Sequence, residues 1–218
     1  MNGKLYCIGV GPGDPEFLTL KGHRILEHVD VVAFPGDTRT AYQIASQAVP
    51  SICEKPHLPL HVPMSTDPEV LLSASLAAAK DIQALLEEGR SVAVLTLGDP
   101  AFYSSFSYLL EHFRSRGFEI EIVPGIASFS AASAKLLQPL ALEAESVHIL
   151  TSVKEYDPDI AGVLIILKAG RQLKEWKSVL KEQHLWLVEN CGMPDEKIYY
   201  HDLPDTSGYY SLLIVKDP

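Results

Sequence analysis

The sequence predicts an α/β fold of two domains, with a mostly parallel sheet in the N-terminal domain and a mixed sheet in the C-terminal one. Short apolar runs of strand length alternate with amphipathic stretches of helix length from the first residues onward. Strand candidates in the first half end at loops rich in Gly and Pro that lead toward helices, the order a parallel sheet requires. Toward the C-terminus the strand candidates crowd together, which is the spacing of hairpins.

Residues 5–10 read as the first strand, followed by a loop and a helix over about 19–29. Residues 30–34 form a second strand, ended by Pro35 and Gly36. Asp67-Pro68-Glu69 is a strong helix start, an acidic cap with proline at the first helical position. That helix runs to Glu88, where Gly89 supplies the stop. Residues 92–97 make a buried strand, 103–116 a helix closed by Gly117, and 118–123 a strand that ends at Pro124-Gly125. In the second half, 147–150, 163–167, 185–188, 198–200 and 209–215 are strand candidates, with a helix over about 171–182. The domain boundary is placed at 123–125, giving domains 1–123 and 124–218 and a ligand-binding cleft between them. No internal repeat or low-complexity segment interrupts the pattern.

At 218 residues, with 47% hydrophobic and 21% charged, the chain can bury the cores of two small domains. No apolar run has the length of a membrane span. The N-terminal segment lacks the basic leader, long apolar stretch and cleavage site of a signal peptide, so a cytoplasmic location and no membrane partner are expected. Cys7, Cys53 and Cys191 are odd in number and far apart, without a CxxC. That pattern points to reduced thiols and to neither a disulfide framework nor a zinc site. A net charge of −10 without a basic cluster argues against a nucleic-acid partner. An anionic ligand would need basic residues gathered locally. His57 and His61 have i, i+4 spacing, but Pro59 between them excludes a regular helix presenting both to a metal, and no protein-bound metal is expected.

Three loops carry the chemistry. Gly9-Val10-Gly11-Pro12-Gly13-Asp14-Pro15 follows the first strand. It approaches the dinucleotide fingerprint GxGxxG but places Asp14 where the last glycine belongs. A carboxylate there repels a pyrophosphate, and the prolines remove N–H donors that would hold one. A rigid, ligand-facing loop is the stronger reading, against a simple strand-to-helix turn. Leu97-Gly98-Asp99-Pro100-Ala101-Phe102-Tyr103 follows a buried strand, at the end where α/β sheets bind ligands. Asp99 can accept from ribose hydroxyls or an ammonium group; it can equally cap a helix ahead of Pro100. Pro124-Gly125-Ile126-Ala127-Ser128 precedes a stretch of small residues, 129–134, suited to a cofactor lying on the backbone or to close helix–sheet packing. Tyr103 and Tyr108 fall on the segment after the second loop, where a core stripe with Phe102, Phe106 and Leu109 explains them equally well.

Together the three loops, G-V-G-P-G-D-P-E-F-L-T-L-K-G, L-G-D-P-x-x-Y and V-P-G-I-x-S, in this order and at this spacing, resemble the tetrapyrrole methylase family over essentially the whole chain. Residues 96–109, Thr-Leu-Gly-Asp-Pro-Ala-Phe-Tyr-Ser-Ser-Phe-Ser-Tyr-Leu, and the final segment 209–215 are similar to the branch that methylates the C20 meso carbon of precorrin-2 or cobalt-factor II. Siroheme-forming members have a second glycine where Leu97 stands. The resemblance implies two αβα domains of the class III methyltransferase type and a homodimer. It also implies S-adenosylmethionine (SAM) as methyl-donor co-substrate, bound folded in the interdomain cleft, and a tetrapyrrole substrate on the route to cobalamin. Carried over by position, Pro12, Leu97, Gly98, Asp99, Phe102, Tyr103, Ala127, Ser128, Lys168 and Cys191 line the SAM site, and Ser211 and Leu212 offer backbone groups to the adenine. Lys168 and Cys191 depart from the methionine and glycine of siroheme-type members. No acid–base pair stands out; Asp14 and Tyr103 are the candidates for ordering the substrate or removing a proton. Other tetrapyrrole methylases, a nicotinamide-dependent oxidoreductase and a non-catalytic tetrapyrrole carrier are the competing readings.

Overall fold

Residues of β1 (Leu5–Gly9), β2 (Val31–Pro35) and β4 (Val92–Thr96) are almost all buried on both sides of the chain, the signature of strands covered on two faces. The computed structural model describes residues 2–61, 63, 65, 67–180 and 183–216. With β3 (His57–Leu60) and β5 (Ile120–Val123) these strands form a sheet in the order β3-β2-β4-β1-β5, every pair parallel. Alternate residues sort to opposite faces. Leu5, Cys7, Val31, Ala33, Val92 and Val94 pack against α3 (Pro68–Glu87) and α4 (Phe106–Arg114) through Ile82, Leu86, Phe106 and Phe113. Ile8, Val32, Phe34, Ala93 and Leu95 pack against α1 (Leu20–His28) and α2 (Thr40–Ala48) through Leu26, Ile44 and Ala45.

The second half builds a separate sheet from β6 (Val147–Leu150), β7 (Val163–Leu167), β8 (His184–Glu189), β9 (Lys197–Tyr200) and β10 (Ser211–Lys216), in the order β6-β7-β10-β8-β9. Only β6 and β7 run parallel; the other pairs are antiparallel, so this sheet is mixed. Leu164, Ile166, Leu187, Leu213 and Val215 bury one face against Leu173 and Trp176 of α6 (Leu173–Val179). Ile165, Leu212 and Ile214 are buried on the other face, and α5 (Ser128–Leu136) packs against β10. The chain divides into compact units Met1–Ala127 and Ser128–Pro218. Among the described residues no helix is long and apolar enough to cross a membrane.

The starts of α1 and α3 follow side-chain caps. The Thr19 hydroxyl accepts the Gly22 N–H (3.1 Å) at the head of α1, and the Asp67 carboxylate accepts the Glu69 N–H (2.9 Å) at the head of α3. The helix expected over 103–116 instead begins at Phe106. Tyr103 is in the left-handed region (φ 51°), which no continuing helix accommodates. Ser104 then turns the chain, its hydroxyl 2.9 Å from that of Thr96 and accepting the Phe106 N–H at 3.2 Å. The helix expected over 171–182 is a 3-10 turn, Ala169–Gln172, followed by the shorter α6; residues 181 and 182 lie outside the described residues. The last strand begins at Ser211, leaving Tyr209 and Tyr210 in the preceding turn.

Candidate active site

The three motif loops leave the carboxyl ends of β1, β4 and β5, and the sheet order makes those strands neighbours. They meet backbone to backbone. The Gly11 and Gly98 peptides exchange hydrogen bonds of 3.3 and 2.8 Å, and the Val10 N–H donates to the Thr96 carbonyl at 3.0 Å. A Cβ on Gly9 would lie 2.6 Å from the Gly98 carbonyl oxygen, and one on Gly125 would lie 2.2 Å from it. Only glycine lets the three loops approach so closely. Gly98 itself is left-handed (φ 72°), and a Cβ there would meet nothing nearer than 4.0 Å, so the side of this turn that lacks a side chain stays open.

Asp99 fastens the second loop to the third. One carboxylate oxygen accepts the Ala101 N–H (2.7 Å), and the other accepts the Gly125 N–H (3.0 Å). Asp99 therefore caps its own turn rather than α4, which starts seven residues later. Asp14 is likewise engaged, accepting the Glu16 N–H (2.9 Å) to cap the 3-10 turn Pro15–Phe17. Pro12, Gly98 and Ala127 are buried; Leu97 is half-buried, packed against the α1/α2 face of the core. Phe102 and Tyr103 are exposed on the turn after Asp99. Tyr108 sits on α4, beside a cavity of about 30 Å³ that Thr96 and Phe106 also line; such a space suits a water rather than a macrocycle.

In the second unit the ends of β7 and β8 flank the start of β10. The register pairs Leu212 with Leu167 and Ser211 with Glu189, and so gathers Lys168, Cys191, Ser211 and Leu212 at one end of the sheet. Leu212 is buried in the central strand. The Ser211 hydroxyl accepts the Gly170 N–H (2.6 Å) and donates to the Gly208 carbonyl (2.8 Å). Lys168 is left-handed (φ 56°) at the turn out of β7. Cys191 is buried, and burial, reinforced by nearby Glu196, pushes its thiol up to about 11. It is therefore a neutral packing group at physiological pH and not a nucleophile. Ser128 is the first residue of α5.

His57 lies on β3 with its ring nitrogen 3.0 Å from the Ile52 carbonyl, and His61 is 4.0 Å from Asp37. Among the described residues no group of three or more His, Cys, Asp or Glu side chains is arranged to hold a metal. Sequence reasoning missed Gly9 and Gly125 as the contact points of the loops.

A parallel sheet carrying three glycine loops at adjacent strand ends, followed by a mixed sheet, defines a two-unit α/β protein whose first loop lacks the dinucleotide fingerprint. The chain belongs to the tetrapyrrole (corrin/porphyrin) methylases, whose family model matches residues 4–206. It is 34% identical over 224 residues to the probable cobalt-precorrin-2 C(20)-methyltransferase of Methanocaldococcus jannaschii, covering 98% of this chain and 96% of that protein. To the cobalt-precorrin-2 C(20)-methyltransferase of Salmonella typhimurium it is 28% identical over 213 residues, 92% of this chain and 89% of that one. The solved uroporphyrin-III C-methyl transferase of Thermus thermophilus complexed with S-adenyl homocysteine aligns with a TM-score of 0.68. That likeness covers 98% of this chain and 92% of that chain at 19% identity, and is one of fold.

Proposed function

We propose that this protein transfers the methyl group of SAM to the C20 meso carbon of a precorrin-2-type tetrapyrrole in cobalamin biosynthesis. The observation that carries the reading is likeness over nearly the full length to two proteins named for that reaction on cobalt-precorrin-2, together with the 96–109 segment of the second loop. The sulfonium supplies an electrophilic methyl. The meso carbon's electron pair forms the new C–C bond as the C–S bond breaks toward sulfur, S-adenosylhomocysteine leaves, and the carbon sheds its proton.

The protein's work is then positioning, which is worth about 7–11 kcal/mol when reacting groups are held in line. In the first unit Pro12, Leu97, Gly98, Asp99, Phe102, Tyr103 and Ala127 are assigned to the donor; in the second, Ser128, Lys168, Cys191, Ser211 and Leu212. The open side of Gly98 and the interlocked loop backbones fit a ligand that packs against main chain. Asp14 and Tyr103 are assigned to ordering the tetrapyrrole or taking its proton. A homodimer is inferred from the family resemblance. A reducing, cytoplasmic setting is inferred from three free thiols, one of them, Cys53, exposed.

The test is NMR of the product made with ¹³C-labelled SAM from cobalt-precorrin-2 and from precorrin-2. Label on the C20 bridge is expected. Label on a pyrrole β-carbon such as C2 or C7 would reassign the protein to a siroheme-type reaction within the same family.

A further inference from the structure

We infer that Lys168 and Arg171, held on the ring of Tyr209, form a carboxylate-binding site; the inference rests on the tetrapyrrole reading above and names how the chain grips an acidic ligand. The starting point is scarcity. With 28 acidic residues against 18 Lys and Arg, a polycarboxylate substrate meets an adverse average charge, and only cations free of acidic neighbours can hold it.

Many basic residues are already committed. Lys4 pairs with Glu119 and Glu121, Lys21 with Glu121, Lys135 with Glu196, Lys177 with Asp205 and Lys216 with Glu145. Among the described residues neither Lys168 nor Arg171 has a carboxylate within ion-pair distance. Instead, both stack on one aromatic ring. The Lys168 Nζ lies 5.6 Å, and the Arg171 Cζ 4.8 Å, from the centroid of Tyr209. An aromatic ring within reach of both cations steadies them without neutralising either.

The platform is also held in place. Between the two cations, Gly170 donates its N–H to the Ser211 hydroxyl, which in turn donates to the Gly208 carbonyl. A Cβ on Gly170 would lie 2.3 Å from the Gly208 oxygen and 2.5 Å from that of Ser207. The turn carrying the cations and the turn carrying Tyr209 are thus closely packed and joined through the Ser211 hydroxyl. Lys168 is kept in a left-handed conformation that a lysine rarely adopts. Prepositioned donors lose little freedom on binding, and the guanidinium of Arg171 can take a carboxylate through two parallel hydrogen bonds. The site lies at the end of the second sheet where Cys191, Ser211 and Leu212 also gather. The carboxylate it takes belongs either to the rim of the tetrapyrrole or to the methionyl part of the donor.

The test compares Lys168→Met, Arg171→Met and Arg171→Lys with wild type, with Lys80→Met on the exposed side of α3 as a control. Uroporphyrin, a stable tetrapyrrole ringed by carboxylates, is titrated by fluorescence, and S-adenosylhomocysteine by calorimetry. KM and kcat are measured on the precorrin substrate. Each charge-removing variant is expected to weaken uroporphyrin binding and raise the tetrapyrrole KM by about tenfold, with kcat within about twofold of wild type, the effect of losing one charge-assisted contact. Arg171→Lys keeps the charge but not the paired hydrogen bonds and recovers part of the loss, and Lys80→Met matches wild type. Weakened S-adenosylhomocysteine binding with unchanged uroporphyrin binding keeps the site and assigns the carboxylate to the donor. Wild-type affinity for both ligands in folded Arg171→Met and Lys168→Met proteins overturns it. Should wild type fail to methylate C20 while these binding differences hold, the functional reading falls and the site stands. Methylation at C20 with indifferent variants brings down the site alone.

Discussion

The Asp99 carboxylate joins two turns of the chain, and donor binding is the second role proposed for it. Two of its roughly four acceptor directions are taken by the Ala101 and Gly125 N–H groups, and the rest are free for a ribose hydroxyl or an ammonium group of the donor. Asp99→Ala is therefore expected to act twice. It leaves two loop N–H groups without their acceptor and lowers stability by about 1–3 kcal/mol, visible as a lower urea midpoint. It also weakens SAM binding by about 1.5–3 kcal/mol in calorimetry on the folded protein. Wild-type SAM affinity alongside reduced stability would limit Asp99 to joining the loops. Asp14 makes a contrast, since its shown contact is local. Asp14→Ala should cost about 0.5–2 kcal/mol as a lost cap and slow methyl transfer while SAM binding holds. Unchanged turnover at limiting tetrapyrrole would leave Asp14 with the cap alone.

At the scale of elements, Glu121 of β5 joins three pieces of the first unit, meeting Lys4 ahead of β1 at 2.8 Å and Lys21 of α1 at 2.5 Å. These hydrogen bonds, Lys21 first and then Lys4, hold its carboxyl below the ordinary 4.5. A depressed folded-state value means the stabilisation is complete above the unfolded value and is lost as pH falls through the folded one. Glu121→Gln should thus be less stable than wild type at neutral pH by about 0.2–1 kcal/mol, because the pair is partly exposed. The difference should close as the pH drops below about 4.5, the unfolded reference. Unfolding curves across that range check it; a gap that persists in acid would show that the amide disturbs packing instead. Such pairings were not legible in the sequence, whereas β1, β2 and β4 were, since a buried parallel strand is an unbroken apolar run stopped by Gly or Pro. α2 and β3 went unread: Ala41, Ile44 and Ala45 carry helical spacing, but with no side-chain cap to mark the start, and β3 contains Pro59. The late start of α4 depends on Thr96 meeting Ser104, a contact made only once β4 is in place. The site divides the same way. The loops announced themselves through their glycines, but that Asp99 reaches Gly125, and Arg171 reaches Tyr209, follows from strand order and register, which no local spacing encodes.

For the molecule as a whole, the net charge of −10 sets opposite long-range forces on the two proposed ligands. SAM carries a sulfonium and an ammonium against one carboxylate, so the acidic surface attracts it. The tetrapyrrole carries many carboxylates and is repelled until it reaches local cations. Screening acts on both, since the Debye length falls from about 30 Å at 0.01 M salt to about 8 Å at 0.15 M. Stopped-flow association rates should therefore move in opposite directions as salt is added: slower for SAM, faster for the tetrapyrrole, and nearly constant for S-adenosylhomocysteine, whose charges cancel. With the tetrapyrrole's carboxylate on the proposed Lys168–Arg171 site, its dissociation should quicken as salt ions compete for the exposed Arg171, and Arg171→Met should reduce that response. Association that slows with salt for the tetrapyrrole as well as for SAM would show that the local cations govern the encounter, leaving the overall charge of the chain no part in choosing between the ligands.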